Sequence, residues 1–316
     1  MGSGEGGRTP VPDGSTTVRG HRKVGPEGLW FDVLNHLFML VMMVSILYPF
    51  LYIVALSLSG AGATLIHTFI IPQYFTLENY KSMLQYDYLY WGLLNTLFRT
   101  VVGTALTLVA CVITAYPLSK RHLPFRNTIT LLIVFTMFFQ GGLIPGYLNI
   151  KQLGLVDTRW ALILPGLIPS FSMLIMRNYF MSLPPEIEES AKMDGARDTT
   201  ILARIVVPMS TPIVATVILW TMVGHWNAWF DSMILIRDAK KQVLQIVMRN
   251  IVMGGSEVAQ RLQSARSVQD QLGLQAVTPE TLKAAMIVIT ILPIILVYPF
   301  LQKYFVKGIL VGSLKG

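Results

Sequence analysis

Leu183-Pro-Pro-Glu-Ile-Glu-Glu-Ser-Ala-Lys-Met-Asp-Gly-Ala-Arg-Asp198, continuing as Thr199-Thr-Ile-Leu-Ala-Arg-Ile-Val-Val-Pro-Met-Ser-Thr-Pro212, is a polar stretch set between two strongly apolar ones. Pro184 and Pro185 suit the first turn of a helix, where the N–H groups they lack have no partner, and Glu186, Glu188 and Glu189 suit its positive end. A short polar helix is predicted to begin there. Gly195 permits a turn with positive φ, and a second helical piece then runs on to Pro208, where the next apolar segment starts. The stretch predicts a helix-turn-helix projecting from a membrane protein into water.

The rest of the chain supplies the membrane. Of its 316 residues 53% are hydrophobic and 13% charged, with a mean hydropathy of +0.55, too apolar for an ordinary soluble domain of this length. The apolar runs are about twenty residues long, enough to cross a hydrocarbon core of ~30 Å as helix. The short alternating segments of an outer-membrane barrel are missing, so the fold class is all-α and polytopic. Six spans are predicted at about 31–57, 90–118, 127–148, 160–181, 207–230 and 282–302, the last introduced by Thr278 and Pro279. Residues 1–28 read as a disordered tail rich in Gly, Ser, Thr and Pro, and 29–316 as one transmembrane domain. The net charge of +8 is scattered without a recognition motif, which excludes nucleic acid as the expected partner. Cys111, the single cysteine, lies inside an apolar run and builds neither a disulfide nor a metal site.

Lys and Arg set the orientation. The N-terminal tail, the loop from Leu118 to Asn127, the loop from Arg177 to Val207 and the tail at 303–316 together hold fourteen basic residues, against three (Lys81, Lys151, Arg159) in the short loops of the other side. Both termini and the Glu189 loop are therefore expected in the cytoplasm. The long segment 231–281 is expected outside, as a short surface helix over about 243–252 followed by a mobile Gln- and Ser-rich portion.

At this point a family resemblance becomes specific. Glu189-Ser190-Ala191, three residues, Gly195, nine residues and then Ile205-Val206-Val207-Pro208 resembles the E-A-A, x3, G, x9, I-x-L-P loop of permease subunits of ATP-binding-cassette (ABC) importers. It departs only at Ser190 and Val207, both mild changes of size. The resemblance implies a type I importer permease fold in which Glu188, Glu189, Ala191, Asp194, Gly195, Ala196 and Pro208 form the coupling surface seated in a cleft of the ATPase. Phe75-Thr-Leu-Glu-Asn-Tyr80, Trp226-Asn-Ala-Trp-Phe230 and Gly308-Ile-Leu-Val-Gly-Ser-Leu-Lys-Gly316 resemble the maltose-type branch. Phe139-Gln-Gly-Gly-Leu-Ile-Pro145 with Leu153-Gly-Leu-Val-Asp157 and Trp160-Ala-Leu-Ile-Leu-Pro165 resembles the subgroup importing fragments of complex polysaccharides.

That resemblance implies partners as well: a second homologous permease, two ABC ATPase subunits, an extracytoplasmic solute-binding protein, an oligosaccharide and membrane lipid. In the same family the C-terminal tail, here Gly308, Gly312, Lys315 and Gly316, enters the ATPase dimer interface. No cofactor is expected on this chain itself, because it has no G-x-x-x-x-G-K-[ST] loop; ATP and Mg belong to the partner ATPase, and the chain is not expected to be an enzyme. Polar residues inside spans turn from lipid toward a cavity or a partner helix. Asn95, Arg99, Gln140, Ser172, Thr221, His225 and Asn227 are thus the candidates for a substrate path. Arg99 has two readings, a cation facing an acidic sugar or a side chain snorkelling to headgroups, and His225 reads as a residue of the membrane interface. The alternative class is a stand-alone secondary transporter or channel, disfavoured because no Asp or Glu lies within the predicted span cores.

Overall fold

The computed structural model describes residues 26–60, 70–254 and 278–313. The helices are α1 (Pro26–Ser57), α2 (Glu78–Leu84), α3 (Asp87–Ser119), α4 (Arg126–Phe138), α5 (Leu143–Gln152), α6 (Ser170–Met181), α7 (Pro185–Met193), α8 (Asp198–Ile201), α9 (Val207–Met209), α10 (Thr211–Asn227), α11 (Phe230–Leu235), α12 (Leu244–Met253) and α13 (Pro279–Ser313). No strand occurs among the described residues. The predicted tail at 1–28 falls almost wholly outside them, as do Lys315, Gly316 and the Gln- and Ser-rich part of the 231–281 segment.

Residues up to Phe50 and residues from Leu51 form two compact units. In the first, α1 is apolar all round and exposes its side chains from Trp30 to Phe50, the composition of a helix meant for lipid.

In the second unit only two of the predicted spans are single long apolar helices, α3 and the Pro279–Val297 part of α13. The other three are bent pairs, so the described residues hold up to six segments long and apolar enough to cross a membrane when each pair is counted as one. The predicted 127–148 helix breaks between α4 and α5 with a bend of 115°. Gly142, at φ +86°, makes that break and not Pro145, because only a residue without Cβ takes this conformation freely. The 160–181 span begins as two 3-10 turns, Arg159–Leu162 and Leu164–Gly166, and bends by 48° before α6, with Pro165 and Pro169 in the irregular part. The 207–230 span is corrected in its start. Val207-Pro208-Met209 belongs to the polar turn, on the far side of an 83° bend from α10.

Helix α3 is the axis of this unit, packing on α6, α10 and α12. Small side chains on one face (Gly92, Thr96, Gly103, Thr104, Thr107) permit that approach. One core lies near its start, around Met83, Leu89, Trp226, Leu244 and Met286, and another near its end, around Cys111, Met173, Met176, Ile201 and Val217. Since α10 runs antiparallel, its C-terminal Trp226 joins the first core and its Val217 the second.

The predicted surface helix at 243–252 is instead a half-buried one. Leu244, Ile246, Val247 and Ile251 of α12 are buried, and its first turn lies directly on Gly92. A Cβ on Gly92 would stand 3.1 Å from the Leu244 Cα, a backbone atom that cannot turn aside. Gly92→Val is therefore expected to destabilise the fold by about 1–3 kcal/mol through overpacking, read as a lower melting temperature of the purified protein in detergent.

Asn79 shows what one motif residue does. Its Nδ2 donates to the carbonyls of Ser57 (2.9 Å) and Ser59 (2.8 Å), and its Oδ1 accepts from the Thr281 hydroxyl at 2.9 Å. One buried amide thus ties the end of α1 and the start of α13 to α2, satisfying groups that have no water to turn to.

Candidate functional site

At one end of α3 stands the polar turn. Helix α7 starts at Pro185 and ends in a Schellman motif: Gly195, at φ +79°, donates its N–H to the Lys192 carbonyl at 3.0 Å, and Ala196 donates to the Ala191 carbonyl at 3.0 Å. Ala191 and Ala196 pack on the second core, as the motif's apolar contact requires. The outer face presents Glu186, Glu189 and Asp194, with Met193 89% exposed. Behind the turn, a π-helical stretch, Leu202–Val206, precedes Pro208, whose ring and missing N–H disturb the regular ladder.

The acidic residues of α7 divide by direction. Glu189 is exposed, whereas Glu188 points inward, forms an ion pair with Lys120 just past α3 and accepts a 3.4 Å hydrogen bond from the Tyr116 hydroxyl. The Lys120 Nζ also lies 4.1 Å from the centre of the Tyr116 ring.

At the other end of α3 the remaining candidates separate. Arg99, 4% exposed, neither snorkels nor stands as a free cation. Its Nη1 donates to Asp231 Oδ1 at 3.1 Å and to the Ala228 carbonyl at 3.3 Å, its Nη2 is paired with Asp231 Oδ2, and its Nε donates to His225 Nδ1 at 3.4 Å. His225 is half-buried against α3, and its ring fills the space over Gly103, where a Cβ would lie 2.6 Å from Nε2. These residues form part of the wall of a cavity of about 310 Å³ that Gly142, Tyr147 and Pro165 also line.

Asn95 lies outside that wall. Its Nδ2 donates to the carbonyls of Lys240 (2.7 Å) and Gln242 (3.0 Å), and its Oδ1 accepts from Arg159 Nε at 2.9 Å. Thr96 one residue on accepts the first N–H of α12, from Leu244, at 2.8 Å, so α3 holds the 239–244 segment against itself. Ser172 is buried in α6, while Gln140 and Asn227 are exposed, Asn227 donating to its own helix at the Val223 carbonyl. Gly308 and Gly312 fall in the helical backbone of α13.

Sequence reading missed Asp231, the partner of Arg99, and Asp157. Asp157, itself at φ +64°, accepts the N–H groups of Arg237 (3.1 Å) and Asp238 (3.0 Å) on Oδ1, and binds Lys241 Nζ at 3.2 Å on Oδ2. The Asp238 N–H, aided by Lys241, holds its carboxyl below the ordinary aspartate range against the opposing effect of burial. The folded value being depressed, the stabilisation is complete above the unfolded value and is lost as pH falls through the folded one. Wild-type melting temperature should drop more between about pH 5 and pH 3 than that of Asp157→Asn. Parallel curves for the two proteins would remove Asp157 from this role.

A polar turn capped by glycine and clamped to a bundle of broken spans, with a lined cavity at the bundle's other end, is the architecture of a transport subunit. The chain belongs to the family described as binding-protein-dependent transport system inner membrane component, whose profile matches residues 89–311. It is 43% identical to Protein LplC of Bacillus subtilis (strain 168) over 291 residues, 92% of this chain and 96% of that one. It is 40% identical to the polygalacturonan/rhamnogalacturonan transport system permease protein YtcP of the same organism over 288 residues, 90% and 98% of the two chains. Its fold is similar to that of a chain in the crystal structure of a bacterial ABC transporter involved in the import of the acidic polysaccharide alginate, with a TM-score of 0.82 and 33% identity over 89% of this chain and 98% of the other. The type I ABC importer permease fold expected from the 183–208 pattern is thereby shown.

Proposed function

We propose that the chain is one of two homologous permease halves of an ABC importer that carries oligosaccharides, among them acidic fragments of polysaccharides, across the cytoplasmic membrane. The observation that carries this reading is the turn at Gly195, an exposed acidic and apolar face held on an apolar helical bundle, with no partner for that face among the described residues. In this reading α7 docks on an ATPase subunit in the cytoplasm, where both termini also lie. ATP and Mg are bound by two such subunits, and an extracytoplasmic solute-binding protein delivers the sugar.

The substrate class rests on relatives at 43%, 40% and 33% identity that match nearly end to end, one of them named for polygalacturonan and rhamnogalacturonan transport and one for import of the acidic polysaccharide alginate. Stand-alone ion-coupled transport is not favoured, since Asp231, the carboxylate at the cavity, already has Arg99 as its counter-ion. The test is co-expression with the neighbouring permease, ATPase and binding-protein genes of the native host, followed by purification through a tag on this chain and uptake in proteoliposomes. ATP-dependent, binding-protein-dependent uptake of oligogalacturonate or a similar acidic oligosaccharide is expected. Uptake driven by an ion gradient without ATPase would overturn the proposal.

A further inference from the structure

Building on that reading, we propose that Glu188, Lys120 and Tyr116 form the internal half of the coupling joint, the contact through which movement of the docked turn reaches α3. Glu189 and Glu188 are neighbours in sequence but face opposite ways, one to the outside and one to α3. The outward residue is free to meet another subunit. The inward one is fixed at both of its bonds to α3 and its immediate continuation.

Three features make this contact more than a surface ion pair. The side chains of Lys120 and Glu188 are only 18% and 16% exposed, so their attraction is weakly screened compared with an open pair. Tyr116 is 6% exposed and sits edge-on to Phe180 of α6 at 6.5 Å between ring centres, so the hydroxyl that reaches Glu188 comes from a ring held by packing on two helices. Arg177 Nε donates to the Leu118 carbonyl at 3.0 Å, which fixes the last turn of α3 to α6 as well. The Glu188 carboxylate therefore pulls on an anchored residue and not on a flexible tip.

What α3 then carries is the other site. Arg99 and Lys120 are 21 residues apart on one continuous helix and its cap, about 32 Å along the axis. Between them the face toward the bundle holds the hydroxyls of Thr100, Thr104 and Thr107, which are buried without hydrogen-bond partners among the described residues. No polar interlock at these three positions opposes a small slide of α3 against its neighbours, of the kind packed helices make in shear motions. Ion pairs pin the helix at two levels, Lys120 at its C-terminal end by the turn and Arg99 within its first half at the cavity.

The experiment uses the whole assembly in proteoliposomes, measuring ATPase retained, ATP hydrolysed and sugar taken up. Lys120→Met and Glu188→Gln are expected to retain the ATPase while sugar moved per ATP falls roughly five- to thirtyfold, the range of a coupling of about 1–2 kcal/mol. Tyr116→Phe should cost about twofold, as the loss of one long hydrogen bond. The exchange Lys120→Glu with Glu188→Lys should restore the ratio to within about threefold of wild type, which a merely structural loss of stability would not explain. Wild-type stoichiometry in Lys120→Met would overturn the inference. So would an exchange variant that inserts in the membrane but remains as uncoupled as the single variants, and that variant decides the matter if Lys120→Met fails to insert. Release of the ATPase by Lys120→Met would also overturn it, by placing the pair at the subunit interface. A wild-type chain that retains no ATPase would instead refute the proposed function itself.

Discussion

Gly195→Val is expected to abolish ATP-driven uptake while leaving the protein in the membrane, and Gly195→Asn to preserve a large part of it. Gly195 has open space where a Cβ would go, so a substitution meets no clash; the obstacle is its φ of +79°. An L-residue in the left-handed region costs about 1–2 kcal/mol, more for a β-branched side chain and less for Asn. Helix α7 has only nine residues and depends on its cap, because so short a helix is marginal alone. Its loosening removes the docking face. Glu189→Lys reaches the same functional end by another route: the side chain is exposed, so the fold should be intact while the contact with the ATPase reverses sign. Co-purification of the ATPase and uptake in proteoliposomes measure both. Normal values for Gly195→Val and Glu189→Lys together would remove the turn from coupling.

How much of this was legible in sequence depends on distance along the chain. The helix and turn were legible, since Pro185 at the first helical position and Gly195 at the cap are set within a dozen residues. The apolar segments were legible in place from hydropathy alone, apart from the start of the fifth. Their bends were less so, because proline marks a helix that can break without saying where; the 115° bend fell at Gly142, three residues before Pro145. The direction of Glu188 was hidden, since it depends on Lys120 arriving from another helix. Asn95 looked like a path residue for the same reason: its partners, Lys240 and Gln242, lie some 145 residues on. The apolar stripe of α12 is consistent with its half-burial, yet only the presence of Gly92 on α3 shows how closely it can pack.

The pair at the cavity gives the other large expected effect, with opposite consequences for its two members. The Arg99 side chain is 5% exposed and that of Asp231 34%. Asp231→Asn leaves a buried cation without a counter-charge, whereas Arg99→Gln leaves a carboxylate that reaches solvent and still accepts the Ser232 N–H at 2.9 Å. Breaking a buried pair costs about 3–5 kcal/mol, and less where one partner is open to water, so Asp231→Asn should lower stability more than Arg99→Gln. Transport should split the other way. An acidic sugar entering the cavity must compete with Asp231 for Arg99. With Asp231→Asn the cation is free, so acidic oligosaccharides should half-saturate uptake at lower concentration and leave more slowly, because a deep well holds what it attracts. With Arg99→Gln the unpaired carboxylate repels them, and their uptake should fall several-fold relative to neutral oligosaccharides of equal length. Uptake of both sugar types in proteoliposomes reads the difference. Equal changes for acidic and neutral sugars in both variants would mean that the pair only braces α3 against α11 and that the charge of the substrate is sensed elsewhere.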